Sequence, residues 1–558
     1  MKKIFTLSIL LCTGLSFAQL PDLQWGHSFG AAENDTATGM APAPDGSLYV
    51  TGNFTGTVDF DPGDGVSNLT AEGMTDIFIQ KFDATGNLLW VKKINNGTNT
   101  SSSQCVLDAQ GNLLVTGTFR NTADLDPGAG VANFTATFFF DSFIIKLDSN
   151  GNYMWGKNIA SGGDNSEWIS TIVLDEAGNI YTTGYFYGTL NLGGTSFTSY
   201  GAYDSFIQKM DSSGNLIWAK RFGGNGYDGI GGFKLGTDGS MYIAGIFGDT
   251  ADFDPGAGSF NITAQGFYDG FVMKLDNTGN FVWAKKIGGE NIDSFSGLEI
   301  NPDGNLILLG SFSSPSLTFN MNGANQTFTN NTNGAYNDVI VLEMDPSGNY
   351  IWGKSFGGTG DDSALEIIMG ADGKFYILGI FNDTVDFNPA DPVNTLTSAG
   401  LYDVFVMCLT NEGNYEYAHR IGGTGLDQAR RMNYLNGSLY LTGTFKNTVN
   451  LNPSGPPLNA TSAGADDFFI CKFGAGQLGT KDFSRNLGIT LHPNPSDGNF
   501  TIEGNGIENG QITIYNSLGS IMKQYNIRDE ITNVLSAGVY FVEVNANGKR
   551  EVKKLIVK

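Results

Sequence analysis

Histidine is nearly missing from this chain: His27, His419 and His492 are the three in 558 residues. That excludes an HExxH metal site and argues against a Ser-His-Asp triad. Any catalysis would have to run on carboxylates or tyrosines, and no catalytic residue is assigned. Cysteine is scarce as well. Of four, Cys12 falls in the N-terminal leader, and Cys105, Cys408 and Cys471 form no CxxC pair or other metal spacing. Neither a zinc site nor a disulfide framework is signalled, and Cys408 and Cys471 read as core or strand-face residues. Charged residues amount to only 16%. After the leader there is no stretch of 18 uninterrupted apolar residues, so no transmembrane helix is expected.

The few charges are unevenly placed. Residues 19–484 hold 21 Lys+Arg against 49 Asp+Glu, a net −28, whereas from Arg485 onward 8 basic residues face 7 acidic ones. Such an acidic surface repels phosphate backbones, which excludes nucleic acid as the expected partner and leaves cations, neutral glycans and proteins.

What the chain has in abundance is glycine, 77 residues, with 12% aromatics. Many short strands joined by tight turns need this mixture, because glycine supplies the positive φ of turns and aromatics fill pleated surfaces. The fold class is therefore all-β. An aspartate followed by alternating apolar residues, then Asp, Gly-Asn and Trp, recurs from Asp76 at Asp141, Asp204, Asp269, Asp338, Asp403 and Asp467, in steps of 65, 63, 65, 69, 65 and 64 residues. So regular a period marks one supersecondary unit copied seven times. In the fourth copy, strand signals lie before Asp238-Gly239, over 240–253, 269–276 and 280–287, with short Asp/Gly hairpins joining the first and last pairs. The middle connection is longer, with room for a short extra strand.

Four-stranded units in tandem that cannot bury their faces alone predict a seven-bladed β-propeller over residues 19–475. Seven Gly-x-Phe pairs, Gly52/Phe54 through Gly443/Phe445, stand in register, and the spacing predicts an aromatic knob meeting a gap on the neighbouring sheet. The row Trp25, Trp90, Trp155, Trp218, Trp283, Trp352 and Tyr417 reads as interblade packing. Because Trp25 precedes the first full repeat and the last repeat stops at Phe473, the N-terminal strand is expected to complete the seventh blade.

In Asp175 to Tyr181 (DEAGNIY) and Asp204 to Asp211 (DSFIQKMD), these repeats resemble the bacterial SBBP β-propeller repeats and, more distantly, NHL repeats. The resemblance implies fold rather than activity. Residues 1–18 read as a secretory signal: Lys2 and Lys3, the apolar run Ile4 to Leu15, and Ser16-Phe17-Ala18 before the cleavage site. Residues 476–486 read as a linker. From 487 to 558 the composition changes. Pro493-Asn494-Pro495, Tyr515 with Gly519, Gly538-Val539-Tyr540, and Lys553-Lys554 before the end resemble, in order, the type A C-terminal sorting domain of the type IX secretion system of Bacteroidetes. That resemblance implies a small Ig-like β-sandwich, the type IX machinery as partner, and a secreted or outer cell-surface location.

Two acidic rows fall on the face that carries the middle connections and the crossovers between units, the expected working surface. Asp59 with Asp61, Asp124 with Asp126, and Asp252 with Asp254, each pair before Pro-Gly, offer alternating oxygens to Ca²⁺. The other reading is that Asp before Pro starts a turn, which the amide copies Asn388, Asn450 and Asn452 favour. Asp35, Asp228, Asp293, Asp362 and Asp427 follow the crossovers. They read either as turn-forming residues or as carboxylate pairs for glycoside cleavage. The functional expectation is an exported binding or interaction module. A secreted carbohydrate-active enzyme and a purely structural surface protein stand as alternatives. Trp168 and the long fifth unit (313–336) break the repeat and mark where to look.

Overall fold

The computed structural model describes residues 20–94, 100–137, 140–161, 166–321, 323–389 and 394–474, and in the C-terminal part 489–496, 499–504, 507, 510–516, 521–526, 535–546 and 549–558. The expected signal peptide, the expected linker and Gly519 lie outside the described residues. All regular elements among the described residues are strands. The chain divides into two compact units, Met1–Ala475 and Gly476–Lys558.

In the larger unit, Asp228–Leu235, Met241–Phe247, Asp269–Leu275 and Phe281–Ile287 pair antiparallel in chain order. The same order governs the repeats that begin with Thr36–Pro42, Thr100–Leu107, Ser166–Leu174, Asp293–Ile300 and Ser363–Met369. One sheet is assembled from both ends of the chain. Gln428–Leu435, Ser438–Phe445 and Asp467–Gly474 are joined by Leu23–Phe29, with Trp25 opposite Lys472. The architecture is all-β and consistent with a propeller fold.

The second and third strands of each repeat are buried along nearly their whole length, as in Leu113–Phe119 and Asp141–Leu147. A strand buried on both faces needs a neighbour on each side. The cores accordingly lie between consecutive repeats. Tyr49, Ile77 and Ile79 of one pack with Cys105, Leu113, Val115 and Phe143 of the next, and Tyr181 and Ile207 pack with Phe233, Ile243 and Phe271. Each fully buried aliphatic or phenyl group contributes about 1.5–3 kcal/mol, and the part buried between repeats is not available to an isolated one. Cys105, Cys408 and Cys471 are buried free thiols within these cores.

The glycine row works differently from the expectation. A Cβ on Gly52 would lie 2.1 Å from the Thr36 carbonyl oxygen and 2.5 Å from the ring of Phe78. Phe78 is the cross-strand partner of Gly52 in the same sheet. The ring that fills the gap is thus Phe78 rather than Phe54, and it comes from the adjacent strand rather than from a neighbouring sheet. Gly117 with Phe143 and Gly379 with Phe405 repeat the arrangement.

The middle connections are also more ordered than a variable loop. Most fold into a two-stranded hairpin, such as Thr250–Asp252 with Asn261–Thr263. Several of these hairpins add to the outermost strand of the preceding repeat: Gly223 pairs with Asp252, Gly357 with Asp386 and Gly422 with Asn450. Their backbone groups are satisfied by the neighbour, which ties consecutive repeats together.

The smaller unit has a four-stranded antiparallel sheet, ordered Ile521–Asn526, Gln511–Asn516, Gly538–Ala546, Lys549–Val557, and a two-stranded pair, Thr490–His492 with Thr501–Glu503. Its own core includes Leu491, Phe500, Ile512, Ile514, Tyr540, Val542 and Leu555.

Candidate functional site

The hairpin motif Asp-x-x-Gly-Asn is built for its turn. In Asp276 to Asn280, Oδ1 of the aspartate accepts the N–H groups of Thr278 (2.8 Å) and Asn280 (2.9 Å), and Oδ2 accepts the Asn280 amide (3.0 Å). Burial raises the Asp276 pKa, but these donors outweigh it and bring it down to about 2. The glycine of this motif receives the tryptophan row. The indoles of Trp25, Trp90, Trp155, Trp218, Trp283 and Trp352 lie against Gly86, Gly151, Gly214, Gly279, Gly348 and Gly413, each in the hairpin of the following repeat. Tyr417 is buried in the core that includes Leu20 and Cys408.

The six carboxylates expected as calcium ligands, Asp59, Asp61, Asp124, Asp126, Asp252 and Asp254, are instead engaged with backbone. Asp59 Oδ1 accepts the N–H groups of Asp61 (3.1 Å) and Ser67 (2.8 Å), and Asp61 accepts that of Gly63 (2.8 Å). Asp124 accepts from Asp126 (3.1 Å) and Ala132 (2.7 Å), and Asp126 accepts from Gly128 (2.7 Å). Asp252 accepts from Asp254 (3.1 Å) and Phe260 (2.7 Å), and Asp254 accepts from Gly256 (2.8 Å). The carboxylates of Asp61, Asp126 and Asp254 thus turn back, through one oxygen each, onto their own Pro-Gly turns. Asn450 makes the same pair of bonds to Asn452 and Leu458, both at 3.1 Å, so the first position requires an acceptor oxygen rather than a charge. Among the described residues, no group of three or more His, Cys, Asp or Glu side chains is arranged to hold a metal ion.

The crossover aspartates are buried and tied to the loop they close. Asp228 accepts the Gly224 N–H (2.7 Å), Asp362 that of Gly358 (2.8 Å), Asp427 that of Gly423 (2.6 Å), Asp293 that of Gly289 (2.7 Å), and Asp35 those of Ala31 (2.7 Å) and Thr55 (2.8 Å). Asp228 lies beside Asp204, which opens a third strand. Burial pushes the carboxyls of Asp228 and Asp362 up to about 8, the Gly224 and Gly358 N–H groups oppose it, and the neighbouring Asp204 and Asp338 add to it. Arg221 bridges to Asp204 at 2.6 Å and Arg420 to Asp403 at 3.0 Å. These carboxylates act as loop closures buried under the surface.

What this face does present is aromatic. Trp168, half-buried, stacks on Tyr185 with centroids 5.3 Å apart and lies 5.8 Å from Tyr203. Tyr203 in turn contacts Tyr187 (5.8 Å) and Tyr227 (5.9 Å), and Tyr227 contacts Tyr268 (6.3 Å). Phe267 is 78% exposed and Tyr187 47%. The belt leads towards a cleft of about 370 Å³ lined by Ile292, Tyr336, Asn337, Asp361 and Tyr402, with Ile292 bridged to Tyr268. In the cleft, Asp361 accepts the Asn337 amide (2.8 Å) and the Tyr402 hydroxyl (3.2 Å). The sequence singles out Trp168 but not its tyrosines, whose common signal is a Tyr immediately before a repeat aspartate at 203, 227, 268 and 402.

The first strands of the repeats enclose a central cavity of about 450 Å³. Its polar side chains join neighbouring strands. Arg431 donates to the carbonyls of Thr38 (2.8 Å) and Ser103 (3.3 Å), Glu366 accepts the Met432 N–H (2.6 Å), and Gln104 accepts that of Ile172 (3.0 Å).

In the smaller unit, two distant parts of the expected sorting motif meet. The Asn494 amide donates to the Lys554 carbonyl (2.6 Å) and its oxygen accepts the Ile556 N–H (2.9 Å). The Tyr540 hydroxyl donates to the Ser536 carbonyl (2.9 Å). Pro493 and Pro495 flank Asn494, Tyr515 lies in the strand next to the one that carries Gly538 and Tyr540, and Lys553 and Lys554 lie in the last strand.

The chain is 26% identical over 462 residues to an uncharacterized WD repeat-containing protein of Acanthamoeba polyphaga mimivirus, covering 70% of this chain and 32% of that protein. It is 20% identical over 357 residues to the regulatory protein FlaEY of Caulobacter vibrioides, covering 61% and 36%. The chain thus spans about one third of the length of these curated relatives. Among solved structures, it aligns with Sqt1 of Chaetomium thermophilum at 9% identity and a TM-score of 0.36, covering 82% of this chain and 100% of that one. A puromycin hydrolase aligns at 11% identity and a TM-score of 0.38, covering 75% and 52%. Residues 490–558 match the secretion-system C-terminal sorting domain family, which supports export by type IX secretion to the cell surface or beyond.

Proposed function

We propose that this protein is an exported seven-bladed β-propeller that acts as a binding module, with its N-terminal strand completing the last blade, the tryptophan row packing between blades, and an Ig-like sorting domain after it. The signal peptide would carry it to the periplasm, and the sorting domain would hand it to the type IX machinery. The observation that carries the binding reading is the crossover face, where the repeated carboxylates are engaged in closing loops while a belt of half-buried aromatic rings runs on from Trp168, with Tyr187 exposed to solvent. Exposed aromatic clusters on rigid scaffolds mark interaction sites. The WD-repeat relative supports the same reading.

A secreted carbohydrate-active enzyme is the second reading, favoured by Asp361 in its cleft beside Tyr402 and Asn337. It requires release of reducing ends, which an Asp361→Asn variant would abolish.

The test has two arms. Deleting residues 490–558 should hold the protein inside the cell, and unchanged export would refute the sorting role. Purified full chain should bind saturably to surface material from the producing cells or their surroundings, and a Tyr187→Ala/Phe267→Ser variant should lose that binding. Absence of saturable binding to any fraction would overturn the binding module.

A further inference from the structure

The aromatic belt departs from the repeat at one place. Trp168 opposes Tyr185 across the first two strands of its repeat. In the other repeats the matching first-strand residue is Thr36, Ser101, Gly229, Ser294, Ser363 or Gln428, and none of their cross-strand partners is aromatic. The fold is therefore satisfied at this position without a ring, and the Trp–Tyr stack answers to something other than folding.

The rings from Trp168 through Tyr185, Tyr203 and Tyr227 to Tyr268 follow one another at centroid separations of 5.3, 5.7, 5.9 and 6.3 Å. The hydroxyls of Tyr187, Tyr203, Tyr227 and Tyr268 donate to no protein group among the described residues. Burial and neighbouring tyrosines push the Tyr227 hydroxyl up to about 12, so it remains a donor at neutral pH. The belt thus offers half-buried aromatic rings edged with hydrogen-bonding groups, and its last member, Tyr268, is bridged to Ile292 on the wall of a cleft holding Asn337, Asp361 and Tyr402.

We infer that this belt and cleft bind a neutral polysaccharide, with sugar rings lying on the Trp168, Tyr203 and Tyr227 faces and sugar hydroxyls reaching Asn337 and Asp361. A pyranose ring presents C–H groups on its faces and hydroxyls around its rim, the same division of apolar and polar surface as the belt. Charge narrows the class. Residues 19–484 carry a net −28, and Asp361 is the acid in the cleft, so anionic glycans meet like charge. A greasy peptide would leave the tyrosine hydroxyls without partners at a desolvated contact.

This inference rests on the binding-module reading and fails separately from it. Full chain would be run in native gels cast with neutral polysaccharides (a β-glucan, a mannan, a xylan) and with an anionic one (polygalacturonate). The expected result is retardation by at least one neutral polysaccharide and none by the anionic one. Affinity should fall at least tenfold in a Trp168→Ser/Tyr185→Thr variant, which installs the side chains of a neighbouring repeat and should melt with the wild type. A Tyr187→Ala variant, altered at an exposed side chain, provides a second reading should the first melt early. The inference is overturned if no neutral polysaccharide retards the chain, or if neither variant weakens retardation. It is also overturned if binding to surface material is abolished by protease treatment of that material. In that last case the binding module stands, with a protein as its partner.

Discussion

The indole of Trp90 lies against Gly151, the hairpin glycine of the next repeat: a Cβ there would sit 2.8 Å from the ring edge, and Gly151 has φ +73°. Lys92, two residues on, donates to the Gly151 carbonyl at 2.9 Å. One residue thus needs glycine for both backbone conformation and clearance. Gly151→Ala should destabilise the larger unit by about 1–3 kcal/mol, read as a lower melting temperature. Gly111→Ala, with φ +80° and open space at its Cβ, should show the smaller, conformational part of that loss.

Arg431 reaches from the last repeat to carbonyls of the first two, Thr38 and Ser103. An Arg431→Met variant keeps much of the volume and leaves both carbonyls and the neighbouring Glu366 without the guanidinium. The expected loss is about 1–3 kcal/mol, measured by denaturant unfolding as a lower midpoint.

Stability should depend on pH through two sets of aspartates. Asp228 and Asp362 titrate near 8 in the folded protein, above the unfolded value, so the fold binds protons that the unfolded chain has released. Their contribution is complete below about pH 4 and is lost as pH rises through 8. Hairpin carboxylates such as Asp276, at about 2, act in the opposite sense: their contribution is present above about pH 4 and is lost as pH falls towards 2. The melting temperature should therefore be higher at pH 5 than at pH 8.5. Asp228→Asn should flatten the alkaline limb, and an unchanged limb would count against the assignment.

The turns at Asp59, Asp124 and Asp252 accept backbone N–H groups, as the amide at Asn450 does, and Asp61, Asp126 and Asp254 close the glycine that follows them. Asp252→Asn should leave the stability within about 0.5 kcal/mol of wild type. A chelator should leave the wild-type melt unchanged. A fall of several degrees on chelation, restored by Ca²⁺, would return a metal to this loop.

Much of the architecture was legible in the chain itself. Its repeat period, the Asp-x-x-Gly-Asn turns and the alternation between them are local, because a hairpin's donors and acceptors lie within four residues of one another, as in Asp276 to Asn280. The early Trp25 pointed to pairing between the two ends, and Trp25 lies opposite Lys472. The sorting segment was legible as ordered landmarks, and the family match falls on it. What only the tertiary structure decided are contacts between residues far apart in sequence. Phe78 rather than Phe54 fills the gap over Gly52 because the partner comes from the next strand. Several of the middle hairpins are tied to the preceding repeat because its outermost strand offers an open edge. The belt exists because the turns that precede separate strands bring Tyr203 beside Trp168, Tyr227 beside Tyr203 and Tyr268 beside Tyr227. Turn chemistry acts over a few residues and is written in order along the chain, whereas a surface is assembled by packing repeats side by side, and no local pattern records which side chains then become neighbours.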